Sequence, residues 1–138
     1  MTPEDIIGAA RQCLGAPFRH QGRLLGFGLD RAGVAIWVAR HVGVSPIDVE
    51  GYGRTPKDGQ IERALDSQPD LMRVADPADR QPGDLLLMRF ATDPQHMAIF
   101  TGNSIIHAYE SAGKVVEHIL SPVWARRIVR VYRFRGLA

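Results

Sequence analysis

The stretch His96-Met-Ala-Ile-Phe-Thr-Gly-Asn-Ser-Ile-Ile-His-Ala-Tyr109 decides the fold of this chain. Two apolar runs of strand length flank the dipeptide Gly102-Asn103, which is the pattern of a β-hairpin with a two-residue turn. In that register Thr101 faces Ser104, and the numbers of all further paired residues keep the same sum. The sequence therefore predicts an antiparallel pair of strands with a defined register.

The same register predicts where the two histidines of this stretch lie. His96 falls opposite Tyr109, and His107 falls opposite Ala98. Because side chains alternate along a strand, His107 shares one face with Tyr109 and therefore with His96. Diagonal neighbours of this kind lie about 7–8 Å apart at the backbone, within reach of each other's side chains. A histidine oriented by a second polar ring is an arrangement typical of a general base.

Two other interpretations of the histidine pair stay open. Two histidines on one sheet face can simply be solvated or hydrogen-bonded, with no catalytic role. A zinc ion held by His96, His107 and His20 is a further alternative, although the chain has no Cys-x-x-Cys or His-x-x-x-His spacing to support it. We therefore expect neither a metal nor another cofactor.

The first expected helix holds the only cysteine of the chain, Cys13. Thr2 can cap this helix, with Pro3 at its first position and Asp5 completing a capping box, and Gly15 is expected to end it. Cys13 recurs at helical spacing with apolar residues, so we expect a small buried core residue rather than a catalytic thiol. A lone cysteine cannot form a disulfide within the chain, and it suits a reducing compartment.

A second, central helix is expected from residue 31 to about residue 42, capped by Asp30, and its nearly continuous apolar residues predict burial. A short third helix is expected near residues 60–67. Pro82-Gly83-Asp84 then introduces strand-like segments at 85–88, 114–120 and 128–134, besides the two strands of the hairpin. Helices followed by an antiparallel sheet predict an α+β fold, with residues 1–138 forming one domain.

Bulk composition excludes several classes of protein. The chain has 138 residues, of which 45% are hydrophobic and 23% charged, as in an ordinary globular domain. No apolar run approaches the ~20 residues that span a bilayer, and the acidic N-terminus lacks the core of a signal peptide. The net charge is only +2, and arginines cluster only in the last segment. We expect that segment to be a strand with a solvated face, with an anionic-polymer or partner surface as the alternative and no nucleic-acid role.

Five short motifs follow one another along nearly the whole chain. They are Ala10-Arg-Gln-Cys-Leu-Gly-Ala-Pro-Phe-Arg-His-Gln-Gly22, Gly51-Tyr-Gly-Arg-Thr-Pro56, Pro82-Gly-Asp-Leu-Leu-Leu87, Pro94-Gln-His-Met-Ala-Ile-Phe-Thr-Gly102 and Ile105-Ile-His-Ala-Tyr-Glu110. In this order they resemble the NlpC-type (NlpC/p60) cysteine peptidases, which cleave peptidoglycan stem peptides with a papain-like fold. The second motif resembles a loop found in the phage-borne members of that family.

This resemblance implies roles for individual residues. His96 would be the general base, and His107 would be the residue that orients it. The positions that would contact substrate at the border of the active site are His20, Gln21, Asp30 and Tyr52.

The chain departs from the family at the position of the nucleophile. Family members have Asp-Cys-Ala-Gly or Asp-Cys-Ser-Gly where this chain has Asp30-Arg31-Ala32-Gly33. Arginine stays protonated in proteins and offers no usable nucleophile, and a cation at a helix N-terminus opposes the helix dipole. Either the nucleophile was simply lost, or Arg31 grips a carboxylate or an acidic neighbouring protein with its planar fork.

Three functions follow as expectations. The first is a phage or phage-like tail-tip or tail-hub protein with a degenerate peptidase fold, which binds other tail proteins and engages the host cell wall. Such a protein would lie in the virion tail, and in the host cytoplasm during assembly. The second is an active peptidoglycan endopeptidase that aids genome entry with another nucleophile or with water. The third is a peptidoglycan-binding module in which the cleft still holds a stem peptide.

Overall fold

The structure, a computed structural model, describes residues 1–26, 28–30, 32–44, 46, 60–90 and 93–137. The helices are α1 (Pro3–Gln12), α2 (Gly33–His41), α3 (Gln60–Asp66) and α4 (Pro122–Ala125). The strands are β1 (Arg23–Leu24), β2 (Gly28–Leu29), β3 (Leu71–Arg73), β4 (Leu85–Phe90), β5 (Asp93–Phe100), β6 (Ser104–Tyr109), β7 (Lys114–Ile119) and β8 (Ile128–Phe134). In the described ranges, every helix is too short or too polar to traverse a bilayer.

Six of the strands form one antiparallel sheet in the order β3-β8-β4-β5-β6-β7. The small strands β1 and β2 pair with each other in a separate ribbon. Helices α1 and α2 pack together, and α2 also contacts β5 and β6. The predicted α+β fold, with helices before an antiparallel sheet, is therefore confirmed.

The predicted register of the hairpin between β5 and β6 is confirmed over the two residue pairs next to the turn. Ile99 pairs with Ile106 and Phe100 with Ile105, and the amide of Thr101 donates a hydrogen bond to the carbonyl oxygen of Ser104 at 3.0 Å. The turn needs a left-handed residue, which Gly102 supplies with a φ of 115°. The local turn chemistry thus sets the pairing of the two central strands.

The two faces of the sheet pack into different clusters. Ile106 and Ala108 belong to the larger core, together with residues of α1 and α2. Ile105 belongs to a smaller cluster on the opposite face, against which Trp124 packs. Since side chains alternate along β6, His107 points to the side of the smaller cluster. The His107 side chain therefore lies on the sheet face that is turned away from the main helical core.

Helix α1 begins as predicted and ends earlier than predicted. Its capping box is complete, because the Asp5 amide donates to the Thr2 hydroxyl at 3.2 Å and the Thr2 amide donates to the Asp5 carboxylate at 2.9 Å. The helix stops at Gln12, with Cys13 as its C-cap, rather than at Gly15. The amide of Gly15 donates instead to the carbonyl of Val115 at 3.0 Å, so pairing of this segment along the edge of β7 competes with a further helical turn.

The C-terminal half of the chain differs from the prediction in two respects. The C-terminal strand was expected to have a simply solvated face, but Arg133 on β8 reaches the buried carboxylate of Asp84 through two hydrogen bonds of 2.8 Å. Asp84 also accepts the amide hydrogen of Gln81 at 2.8 Å. The strand β3 and the helix α4 were not predicted, since each is too short to show a hydrophobic period.

Candidate active site

The side chains of His96 and His107 meet as the hairpin register predicted. Nε2 of His96 lies 2.5 Å from Nδ1 of His107. The ring centroids are 4.7 Å apart and the ring planes are nearly perpendicular, at 89°. Both side chains are buried, with exposed fractions of 1% and 0%. The predicted juxtaposition is thus present, while the catalytic roles of the two residues stay predictions.

A third histidine extends this pair, and sequence reasoning missed it. Nε2 of His107 lies 2.8 Å from Nε2 of His118 on β7. The second ring nitrogen of His118, Nδ1, lies 3.0 Å from the carbonyl oxygen of Ile119. His118 pairs with Ile105 across the sheet, and cross-strand partners share a face, so it stands beside His107. The β6–β7 register could have revealed it, but the connection Glu110–Ala112 is a short 3-10 helix that gives no two-residue turn signal.

Aromatic rings enclose the three histidines on the smaller-cluster side. The Trp124 ring lies 5.3 Å from His107, 4.7 Å from His118 and 5.5 Å from Tyr109, measured between centroids. Trp124 is held on α4, whose N-cap Ser121 accepts the Trp124 amide hydrogen at 3.4 Å. The contact between His96 and His107 is buried, and the low polarity around it strengthens that hydrogen bond.

Burial keeps the central histidine neutral. Desolvation, together with the charge of neighbouring His118, lowers the pKa of His107 from 6.5 to about 3. A charged imidazolium would lose its hydration in this site without gaining a carboxylate partner. At neutral pH His107 therefore acts as a neutral hydrogen-bonding ring between two others.

Asp30 ties the loop before α2 to the start of that helix. Its Oδ1 accepts the amide hydrogens of Ala32 and Gly33 at 3.1 and 2.9 Å. The predicted N-cap is nevertheless wrong by two residues, because α2 begins at Gly33 with Ala32 as its N-cap. The guanidinium of Arg23 donates to the same oxygen at 2.9 Å, and the amide of Gln21 donates to Oδ2 at 2.8 Å. The Asp30 side chain is fully buried, so these contacts position the backbone, and its predicted contact to substrate stays a prediction.

The other predicted substrate contacts fall in different places. His20 is half-buried and Gln21 exposed on the loop that Asp30 anchors. Arg31 and Tyr52 lie outside the described residues. The Gln21 amide, bonded to Asp30, brings this loop close to the start of α2, and the roles of these residues in substrate binding stay predictions.

Cys13 is a core residue, as the sequence indicated. It is 0% exposed, and its thiol faces the carbonyl oxygen of Ala9, with Sγ and O 3.8 Å apart. Burial raises the pKa of the Cys13 thiol to about 12. Because the thiolate is the nucleophilic form, Cys13 cannot supply a nucleophile at neutral pH.

The described part of the chain has no group of side chains arranged to bind a metal ion. No group of three histidine, cysteine, aspartate or glutamate side chains there converges closely enough to hold a metal ion. His96, His107 and His118 follow one another in a line, each bonded to the next, and do not surround a common point. The zinc set His20, His96 and His107, an alternative from the sequence, therefore gains no support.

Comparisons with known proteins agree with this fold. The model of the NlpC/P60 family matches residues 15–133. An NlpC/P60 family protein from Bacillus cereus ATCC 10987 is 22% identical with a TM-score of 0.71, over 97% of this chain and 40% of that one. The NlpC/p60 domain of the peptidoglycan hydrolase SagA is 20% identical with a TM-score of 0.65, over 95% of this chain and 97% of that domain.

A third solved structure is of comparable similarity. The peptidoglycan hydrolase RipB from Mycobacterium tuberculosis is 21% identical with a TM-score of 0.63, over 99% of this chain and 65% of that one. The chain therefore spans less than half of the Bacillus cereus protein and about two thirds of RipB. A search of curated proteins found no match.

The low pKa of His107 predicts a specific loss of stability in acid. Between pH 3 and pH 6.5 the unfolded chain binds a proton at this residue that the folded chain does not, so acid favours unfolding. Relative to a His107→Asn variant, the wild-type free energy of unfolding should fall by about 2 kcal/mol from about pH 8 to about pH 5. Urea unfolding at both pH values measures this difference. The exposed His41, replaced by asparagine, should not alter the pH dependence, and parallel curves for wild type and His107→Asn would contradict the prediction.

Proposed function

The chain belongs to the NlpC/P60 family, and from that membership we propose a cell-wall peptidase domain that has lost its nucleophile. It serves as a structural, wall-engaging part of a phage or phage-like tail tip or hub. The observation that carries the proposal is Arg31, which stands where the sequence Asp30-Arg31-Ala32-Gly33 resembles the family's nucleophile motif. Guanidinium has no lone pair that can attack a peptide carbonyl at neutral pH.

No other thiol replaces the lost one. Cys13 is the single cysteine of the sequence, and it is buried in the core with its pKa raised to about 12. To react, it would have to leave the core at the end of α1 and ionise. Nucleophile and base work as a unit in this chemistry, so a thiol without a positioned base loses most of the acceleration.

The remaining parts of the site support a recent loss rather than a redesigned site. His96 and His107 are buried and hydrogen-bonded to each other. Asp30 still binds the backbone that leads into α2. Buried polar groups with satisfied partners hold a unique geometry, so the binding surface around them can persist without hydrolysis.

The tail assignment rests on sequence similarity. The motif Gly51-Tyr-Gly-Arg-Thr-Pro56 resembles a loop of the phage-borne members of the family. A domain of this kind at a tail tip would contact the cell wall.

A stem-peptide-binding module is the second candidate, and the identity of residue 31 favours it. Arginine presents a planar fork that matches a carboxylate through two hydrogen bonds. Peptidoglycan stem peptides carry carboxylates, so Arg31 would hold one of them in the cleft where the family's thiol attacks.

Restoring the thiol should restore catalysis. Arg31→Cys should cleave purified muropeptides at least about 10³-fold faster than wild type, since removing one member of a catalytic unit costs up to about 10⁶ in rate. Arg31→Ala, which removes the guanidinium without adding a thiol, and Arg31→Cys/His96→Ala should both stay inactive. Cleavage by the wild-type chain would refute the proposed loss of activity and favour the endopeptidase alternative. A folded but inactive Arg31→Cys variant would refute the claim that the rest of the catalytic site is still intact.

The tail role predicts incorporation into particles. The chain should co-purify with the phage or phage-like particles that are encoded by the same genome. Mass spectrometry of those particles should detect it in a fixed ratio to the tail proteins. A tag attached near the exposed Arg126 would allow the opposite experiment, in which the tagged chain captures the tail proteins. Purified, infectious particles without the chain would overturn this part of the proposal.

The binding module predicts measurable affinity for wall fragments. Isothermal titration with a stem peptide should show binding that Arg31→Ala weakens about tenfold, which corresponds to about 1.4 kcal/mol. The exposed Arg126, replaced by alanine, is the matched control and should leave the affinity unchanged. Equal affinities for wild type and Arg31→Ala would exclude a carboxylate contact by Arg31.

A further inference from the structure

Three histidines form a continuous hydrogen-bonded line that ends on a backbone carbonyl. His96 bonds to His107 through Nε2 and Nδ1, and His107 bonds to His118 through the two Nε2 atoms. At the far end, Nδ1 of His118 lies 3.0 Å from the carbonyl oxygen of Ile119. His107 and His118 each bond through both of their ring nitrogens, so the proton positions along the line depend on one another.

The carbonyl at the end of the line fixes the proton order. A carbonyl oxygen can only accept, so Nδ1 of His118 carries the hydrogen and donates it to Ile119. In a neutral imidazole the other nitrogen is then an acceptor. Nε2 of His118 therefore accepts, and Nε2 of His107 must be the donor in the 2.8 Å contact.

The proton position on His96 follows from the same rule, that a neutral imidazole has one donor and one acceptor nitrogen. Because Nε2 of His107 holds the hydrogen, Nδ1 of His107 is the acceptor. The hydrogen in the contact between His96 and His107 then belongs to Nε2 of His96. His96 is left with its lone pair on Nδ1, which makes Nδ1 the basic nitrogen of that ring.

We propose that His118 is a positioning residue, which sets the tautomer of His96 through His107 and the carbonyl of Ile119. His118 acts through a second ring and does not itself touch a reacting group. Its position is fixed by pairing with Ile105 on β6 and by the Trp124 ring 4.7 Å away. The proposal rests on the proposed function only in treating His96 as the family's base, and the tautomers exist whether or not the chain hydrolyses anything.

The surroundings of the line favour this order over the reverse. In the reverse order His118 would carry its lone pair on Nδ1, facing the lone pairs of the Ile119 carbonyl 3.0 Å away. Two acceptors in contact lose a hydrogen bond and repel each other, whereas a hydrogen on Nδ1 of His118 satisfies both groups. His107 also stays neutral in this site because of its burial and the neighbouring His118, so it relays one hydrogen bond on each side.

Nitrogen NMR reads the tautomers directly. Long-range proton–nitrogen spectra of the ¹⁵N-labelled chain at about pH 8, where an ordinary histidine with a pKa of about 6.5 is neutral, distinguish protonated from unprotonated ring nitrogens. The chain has five histidines, so single substitutions assign every ring. We expect hydrogen on Nδ1 of His118, on Nε2 of His107 and on Nε2 of His96. Hydrogen on Nδ1 of His96 in the wild type would overturn the proposal by itself.

Variants at residue 118 separate positioning from mere packing. His118→Phe keeps a ring beside Trp124 but removes the acceptor, so His107 and His96 should lose their single-tautomer patterns. His118→Gln can accept at the same place through its amide oxygen and should restore both patterns. His41→Phe, on exposed α2 surface, is the control and should change neither. Unchanged patterns in a folded His118→Phe, judged by a dispersed amide spectrum, would also overturn the proposal.

An activity test keeps the two proposals apart. In the Arg31→Cys background, His118→Phe should lower kcat at least about tenfold with KM unchanged, because the base is then held in mixed tautomers. His118→Gln should keep kcat. If Arg31→Cys is inactive while the nitrogen spectra show the expected order, the proposed recent loss fails and the role of His118 stands. If Arg31→Cys is active but His118→Phe leaves the tautomers unchanged, the proposed role of His118 fails and the proposed loss of the nucleophile stands.

Discussion

The register of the β5–β6 hairpin is the constraint on which the candidate site depends. Because side chains alternate along strands, a slip of one residue would turn His107 to the face that the main core occupies and bring Ile106 out. The two-residue turn at Gly102-Asn103 prevents this slip, since Gly102 supplies the left-handed backbone that the turn requires. The turn therefore determines towards which face of the sheet the two buried histidine side chains point.

Two buried carboxylates hold the surroundings of this hairpin in place. Asp84 precedes β4 and binds Arg133 on β8 through both of its oxygens. Asp30 binds the loop at Gln21 and the start of α2. Both carboxylates are fully buried, and each is satisfied by a guanidinium and by backbone amides, which is the condition under which a buried charge is tolerated. The sheet and the α2 start are thus each fixed by ionic contacts.

The scaffold around the histidines is held by its own contacts. The histidine line is stabilised by its own hydrogen bonds and by the enclosing rings of Tyr109 and Trp124. Two of its three members, His96 and His107, are buried in the folded interior. In this member of the NlpC/P60 family, such a scaffold supports our proposal of a peptidase fold that serves for binding or assembly.

Local chemistry determined those features that the sequence alone could predict. Three such features are the capping box of Thr2 and Asp5, the hairpin register beside the turn and the burial of Cys13. Each follows a pattern of residues a few positions apart, so the sequence reveals it. The order of the motifs likewise indicated the family. Only the tertiary structure decided that His118 continues the histidine pair and that Arg133 neutralises Asp84. These contacts join residues 11 and 49 positions apart, and what brings them together is the order of strands in the sheet, which no local periodicity encodes.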